Sequence, residues 1–184
     1  MGAVSVAEPT PTLAFIAASG TGKTTLLTAL LPALKARGVR CAVIKHSHHD
    51  FAVDIPGKDS YRLREAGAQQ VLLASPHRWF LVEEGDGVTE PALSDLLGRL
   101  DHSAVDLVLV EGYSQASVAK IEVHRPARRL PLRCADDPDV IAVATDDPGA
   151  TPSTLPLLPL NDVDAVTAFV CEWLHGQPSS RGPD

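Results

Sequence analysis

Short apolar runs alternate with stretches of helical spacing along most of this chain. Residues 13–18, 39–44, 71–73, 79–82, 105–110, 121–123 and 141–144 read as strands. Several of these runs are apolar throughout, the mark of strands covered on both faces. Between them, Leu26, Leu27, Leu30, Leu31 and Leu34 recur at helical intervals and predict a helix over 24–37, with Gly38 as its C-terminal stop and Pro32 as a candidate kink. A second helix is expected over 59–66, ended by Gly67. A third is expected to open with Pro91 at its first position and run to about residue 100. The last, in "NDVDAVTAFVCEWLHG", places Val163, Val166, Phe169, Val170, Trp173 and Leu174 on one face and stops at Gly176. This alternation predicts an α/β fold: a doubly wound, mostly parallel sheet with helices on both faces and ligands at the carboxyl ends of its strands.

The pattern fades at both ends. Residues 1–11 and 176–184 carry no period and are expected to be loose tails around a single domain over 12–175, and no internal repeat is visible. A chain of 184 residues buries roughly 70% of its unfolded surface and needs no staples. With a net charge of −7, and Arg128, Arg129 and Arg133 as its one dense basic patch, it is a poor match for a nucleic-acid backbone. A small phosphorylated ligand remains compatible. The three cysteines, Cys41, Cys134 and Cys171, lie far apart without CxxC spacing, which suits buried thiols in a reducing compartment. No apolar run approaches membrane-spanning length, and the start "MGAVSVAEPT" has neither a charged leader region nor a myristoylation pattern. The expected location is cytoplasmic.

Candidate chemistry begins after the first strand, where "AASGTGKT" fits the phosphate-loop pattern G-x-x-x-x-G-K-[ST] except that Ala17 replaces the first glycine. In such a loop successive N–H groups point at phosphate oxygens, and the helix N-terminus adds partial positive charge. Ser19, Gly20, Thr21 and Gly22 supply that backbone, Lys23 the ammonium, Thr24 the metal-facing hydroxyl and Thr25 a further hydroxyl. Ala17 is harmful only if its φ is positive or its methyl blocks a phosphate. At the extended end of a strand it does neither, so the loop is expected to work. The fold expected is therefore of the P-loop NTPase type.

A second element should be an acid at the end of a neighbouring strand. "VDLVLVEG" offers Asp106 and Glu111, about 16 Å apart along a strand, so only one can face the phosphates. The carboxyl-end rule favours Glu111, to hold Mg²⁺ through water or to polarise an attacking water, and puts Asp106 at the far side.

The segment "VIKHSHHDFAVDIPGKDSYRLREAGA" is richer in polar groups than a connection requires. Lys45, His46, His48, His49 and Asp50 follow the strand's carboxyl end, where they can meet a γ-phosphate, its Mg²⁺ or a partner protein in the manner of a switch. They also match zinc or nickel ligand types without ordered helical spacing, or are ordinary exposed polar residues. Asp59 and Ser60 stand where a helix cap belongs; Arg62 and Arg64 suit either solvent or phosphate. Ser75 and Arg78, at a turn, are further candidates to face the site.

Four stretches, "AASGTGKTTLL", the histidine-rich segment, "LLASPHRW" and "DLVLVEGYSQASVAKIEVHR", together resemble the molybdopterin-guanine dinucleotide biosynthesis adaptor proteins over about residues 12–175. Alanine at position 17 is at home there, while Tyr113 stands where phenylalanine is familiar. The resemblance implies a GTP-binding protein with weak GTPase activity, often a homodimer. It would assist the separate molybdenum cofactor guanylyltransferase that joins GMP to molybdopterin, with molybdopterin itself or a molybdoenzyme as a further candidate partner. Carried over residue by residue, the nucleotide loop is Ser19 to Thr25, the switch-like segment is Lys45 to Asp50 with Asp59 to Arg62, and the strand-end acid is Glu111. Together with the residues read above, the nucleotide-binding candidates are Ser19 to Thr25, Lys45, His46, His49, Asp59, Ser75, Arg78 and Asp146, with Lys23, Glu111 and Asp50 as catalytic candidates and Thr24 and Glu111 as those for Mg²⁺. Guanine preference rests on this likeness alone. No N-K-x-D is present, and the candidate base readers are Asp146 and Asp147, or Asn161 and Asp162, the latter pair reading equally well as a helix cap.

Two other functions fit parts of the pattern. A metallochaperone GTPase would use His46, His48 and His49, and a P-loop small-molecule kinase or synthetase would need an acceptor site and a lid. Slow hydrolysis fits the lack of an assignable arginine finger.

Overall fold

The computed structural model describes residues 10–47, 51 and 53–178. Two compact units divide the chain, residues 47–92 forming one and the remainder the other.

In the larger unit six strands form one parallel sheet in the order β2-β5-β1-β6-β7-β8. They are β1 (Thr12–Ile16), β2 (Cys41–Lys45), β5 (Leu107–Glu111), β6 (Ala119–His124), β7 (Val140–Thr145) and β8 (Leu157–Pro159). The central strands β1 and β5 are buried on both faces, which is why their sequences do not alternate. On one face Leu13, Phe15, Leu107 and Leu109 pack against Leu26, Leu27, Leu30 and Leu34 of α1 (Lys23–Ala36) and against Val166 and Val170 of α4 (Val163–His175). On the other, Ala14, Ile16, Val108 and Val110 meet Leu93, Leu96 and Leu97 of the short α3 (Leu93–Leu97). Helices thus cover both faces of a mostly parallel sheet, as the alternation predicts.

Boundaries move for local reasons. Pro91 precedes α3 by two residues instead of opening it. Pro32 sits inside α1, which runs through it without a break. Strand β8 escapes the sequence pattern because it is three residues long and ends in proline. The cap of α4 is Asp162, whose carboxylate accepts from Ala165 N at 3.0 Å, one residue on from the Asn161 reading.

The smaller unit contains α2 (Asp59–Glu65), β3 (Gln70–Ala74) and β4 (Trp79–Glu83). These two strands form their own antiparallel pair. Only four residues join them, too few for the crossover that parallel neighbours require. Lys58 is the N-cap of α2, so Asp59 and Ser60 lie inside the first turn. Arg64 fastens this unit internally, 3.4 Å from Asp54 and 3.1 Å from Glu84.

Candidate functional site

Parallel register assembles the site. Lys45 on β2 and Phe15 on β1 both stand opposite Glu111 on β5, so the ends of three adjacent strands come level. The chain leaves β1 at Ile16 and turns through residues 17–22 into α1. Ala17 is one residue past the strand and does not have a positive φ; among described non-glycine residues only Tyr113 and Arg129 do. Its carbonyl accepts from Lys23 Nζ at 2.9 Å, and that of Ala18 accepts from the same ammonium at 3.2 Å. The Thr21 hydroxyl, buried, donates to Ala18 O at 2.8 Å and closes the turn from within.

Thr24 sits in the first turn of α1, and its hydroxyl donates to Glu111 Oε1 at 2.7 Å. Lys45 Nζ is 3.4 Å from Glu111 Oε2 and donates to the Thr24 hydroxyl at 3.3 Å. Two hard oxygen donors, one anionic, therefore converge beside the loop with a cation between them, the donor chemistry that suits Mg²⁺. Burial lowers the Lys23 ammonium below its ordinary value; Glu111 opposes the shift, and Lys45 and Arg133 add to it. Asp106, at the far end of β5, instead takes Arg40 Nε at 3.0 Å and Arg40 Nη2 at 3.0 Å.

His46 N donates to Glu111 O at 2.8 Å, continuing the β2–β5 ladder by one residue. Its ring stacks on Tyr113, with centroids 4.7 Å apart. Gly112 lies between them with φ 103°, and a Cβ there would come within 2.8 Å of His46 Cβ. Only glycine allows β2 and β5 to approach so closely at this end. Tyr113, a mild departure in the sequence, is thus the packing partner of a candidate site histidine.

Asp146, at the end of β7, pairs with Arg125. Asp147 caps the 3-10 turn Pro148–Ala150 by accepting from Ala150 N at 3.1 Å. Ser19 and Thr25 are exposed on the loop and first turn. Of the remaining candidates, Asp59, Ser75 and Arg78 belong to the smaller unit and have local partners: Asp59 is 4.0 Å from Arg62, and the Ser75 hydroxyl donates to Arg78 O at 2.9 Å across the β3–β4 turn. His48, His49 and Asp50 lie outside the described residues. Among the described residues no group of three or more His, Cys, Asp and Glu could hold a metal ion.

Sequence reasoning missed the segment after β6. A cleft beside the loop is lined by Ala17, Thr21, His124, Arg125, Arg128 and Arg133. Glu122, buried, accepts from Arg133 N at 2.9 Å and Cys134 N at 2.9 Å, folding this segment back onto its own strand. The signal was available: four arginines follow directly from a strand's carboxyl end.

The fold and loop together define a protein of the P-loop NTPase-like fold. The family model for "Molybdopterin guanine dinucleotide synthesis protein B" matches residues 12–146. The chain is 50% identical over 168 residues to the molybdopterin-guanine dinucleotide biosynthesis adapter protein of Escherichia coli (strain K12), covering 91% of this chain and 95% of that one. It is 44% identical to the protein of the same name from Haemophilus influenzae, covering 90% of each. A crystal structure of molybdopterin-guanine biosynthesis protein B superposes with a TM-score of 0.70 at 26% identity, covering 89% of this chain and 99% of that one. Bacillus subtilis MobB gives the same TM-score at 20% identity, covering 91% and 99%, a likeness of fold. The chain belongs to the MobB family of molybdopterin-guanine dinucleotide biosynthesis adapters. No helix of the described residues is long and apolar enough to cross a membrane.

Proposed function

We propose that this chain is a cytoplasmic, homodimeric GTP-binding adapter with slow GTP hydrolysis, which assists a separate guanylyltransferase in attaching GMP to molybdopterin. The observation that carries the nucleotide part is the meeting of Thr24 with Glu111 at 2.7 Å beside a loop whose lysine is already folded over it. Family membership supports the pathway.

In this reading the N–H groups from Ser19 to Thr25 take the β- and γ-phosphates, and Lys23 exchanges its two carbonyl acceptors for phosphate oxygens. Thr24, and Glu111 through water, would hold Mg²⁺, which when bound offsets charge on the transferred phosphoryl group. Glu111 also orients the Thr24 hydroxyl. Lys45 and His46 face the same strand ends, and Asp50 is the remaining candidate to position water. A site of this kind, with no arginine supplied by a partner, turns over slowly, which suits a binding switch better than a metabolic enzyme.

Titrating GTP, ATP and GDP into the pure protein at millimolar Mg²⁺ tests the reading. GTP should bind most tightly and be hydrolysed slowly, with hydrolysis or affinity changing when the guanylyltransferase is added. Equal affinity for ATP removes the guanine assignment.

A further inference from the structure

The strongest feature outside the phosphate loop is the grip on its outer side. Arg125 follows the last residue of β6 and sends its guanidinium back to the loop, where Nε donates to Thr21 O at 2.9 Å. The same guanidinium pairs through Nη1 with the carboxylate of Asp146 at the end of β7. Arg128, in the following 3-10 turn, donates from Nη1 to Gly20 O at 2.8 Å.

We propose that Arg125, anchored by Asp146 and assisted by Arg128, is the positioning residue of the phosphate loop. A trans peptide points its C=O and N–H in opposite directions. Holding Gly20 O therefore aims the N–H of Thr21, and holding Thr21 O aims the N–H of Gly22. These are two of the donors that the nucleotide reading assigns to phosphate, and the inference rests on that reading. Arginine suits the task because its planar fork holds a carbonyl and a carboxylate in fixed directions, which the freely rotating donors of a lysine do not. The loop glycines fit the same account. Gly20 and Gly22 have φ of 72° and 107°, and a Cβ would lie 3.1 Å from Arg128 Nη1 and 3.5 Å from Arg125 Nη2 respectively, so the guanidiniums rest against bare backbone.

The inference gives Asp146 a role different from that of guanine reader. As an anchor it serves every triphosphate alike; as a base acceptor it serves GTP alone. Calorimetric titration of GTP, ATP and inorganic tripolyphosphate at fixed Mg²⁺, with thermal melting alongside, separates the two using wild type, Arg125→Ala, Arg125→Lys and Asp146→Asn. The expected result is a common loss for all three ligands, about tenfold for Arg125→Ala and about threefold for Asp146→Asn, with little recovery in Arg125→Lys. Asp146→Asn preserves shape and keeps the comparison open if Arg125→Ala folds poorly. A loss confined to GTP overturns the proposal in favour of base reading. A lowered melting temperature with affinities unchanged overturns it in favour of a purely structural pair. Wild type that binds none of the three ligands refutes the nucleotide reading itself, a result distinct from either.

Discussion

The Lys45 ammonium stands 3.4 Å from Glu111 Oε2, against the same carboxylate whose other oxygen accepts from Thr24. Because it also donates to the Thr24 hydroxyl at 3.3 Å, it bridges the two groups read as holding Mg²⁺. A monovalent cation carried by the chain thus sits where a divalent one is expected to act, and the two repel each other.

Removing Lys45 should therefore ease metal uptake. In Lys45→Met, the Mg²⁺ concentration giving half-maximal binding of a fluorescent GTP analogue should fall about fivefold, roughly 1 kcal/mol for a largely exposed charge. Manganese titration followed by electron paramagnetic resonance reads the same change without hydrolysis. An unchanged metal requirement would mean that Lys45 moves away and takes no part in the exchange, and a higher one that it assists binding instead of opposing the metal.

Lys23 has the opposite character, since its acceptors are loop carbonyls at 2.9 and 3.2 Å that phosphate oxygens would replace. Lys23→Ala should weaken triphosphate binding about a hundredfold or more, as expected for loss of charge-assisted bonds to an anion. The melting temperature should hardly move, because the buried contacts of α1 are made by its leucines. Hydrolysis persisting in that variant would identify a contaminating enzyme.

What the sequence made legible follows from burial and local geometry. Strand β1 and helix α1 stand out because a strand buried on both faces is apolar throughout and because Leu26, Leu27, Leu30 and Leu34 share one face. The nearness of Glu111 to Thr24, 87 positions away, was open to inference because carboxyl ends gather in a parallel sheet. The reach of Arg125 to Thr21, across 104 positions, was not, since no periodicity records a side chain that serves another segment's carbonyl. The hairpin β3–β4 looked like any other pair of apolar runs, and only the length of its connection marked it as separate. Likewise the His46–Tyr113 stack depends on a left-handed tyrosine that no residue pattern foretells.

That stack leads to a stability prediction at Gly112. Its φ of 103° disfavours any side chain, and the 2.8 Å approach to His46 Cβ leaves no room for one. Gly112→Ala should cost about 2 kcal/mol by strain and displacement together, lowering the melting temperature by roughly 4–8 °C for a chain of this size. Urea unfolding with an unchanged m-value would place the effect in the folded state. A loss below about 0.5 kcal/mol would show that β2 and β5 can part at this end without consequence.

Cys41, at the start of β2, offers a test through pH. Burial pushes its thiol from the ordinary 9.0 up to about 11, with Asp106 and Cys171 adding to the shift. Between those values the unfolded chain gives up the proton while the folded chain keeps it, so fewer protons are bound in the unfolded state. Stability then falls as pH rises through the interval, and is unaffected by this group below it. Other groups titrate there too, so the comparison is with Cys41→Ala under reducing conditions. Between pH 8 and pH 10.5 wild type should lose about 1 kcal/mol more of its unfolding free energy than the variant. Parallel losses in the two proteins would mean that water reaches the thiol, and that β2 opens at its amino end more readily than the Arg40–Asp106 bonds beside it suggest.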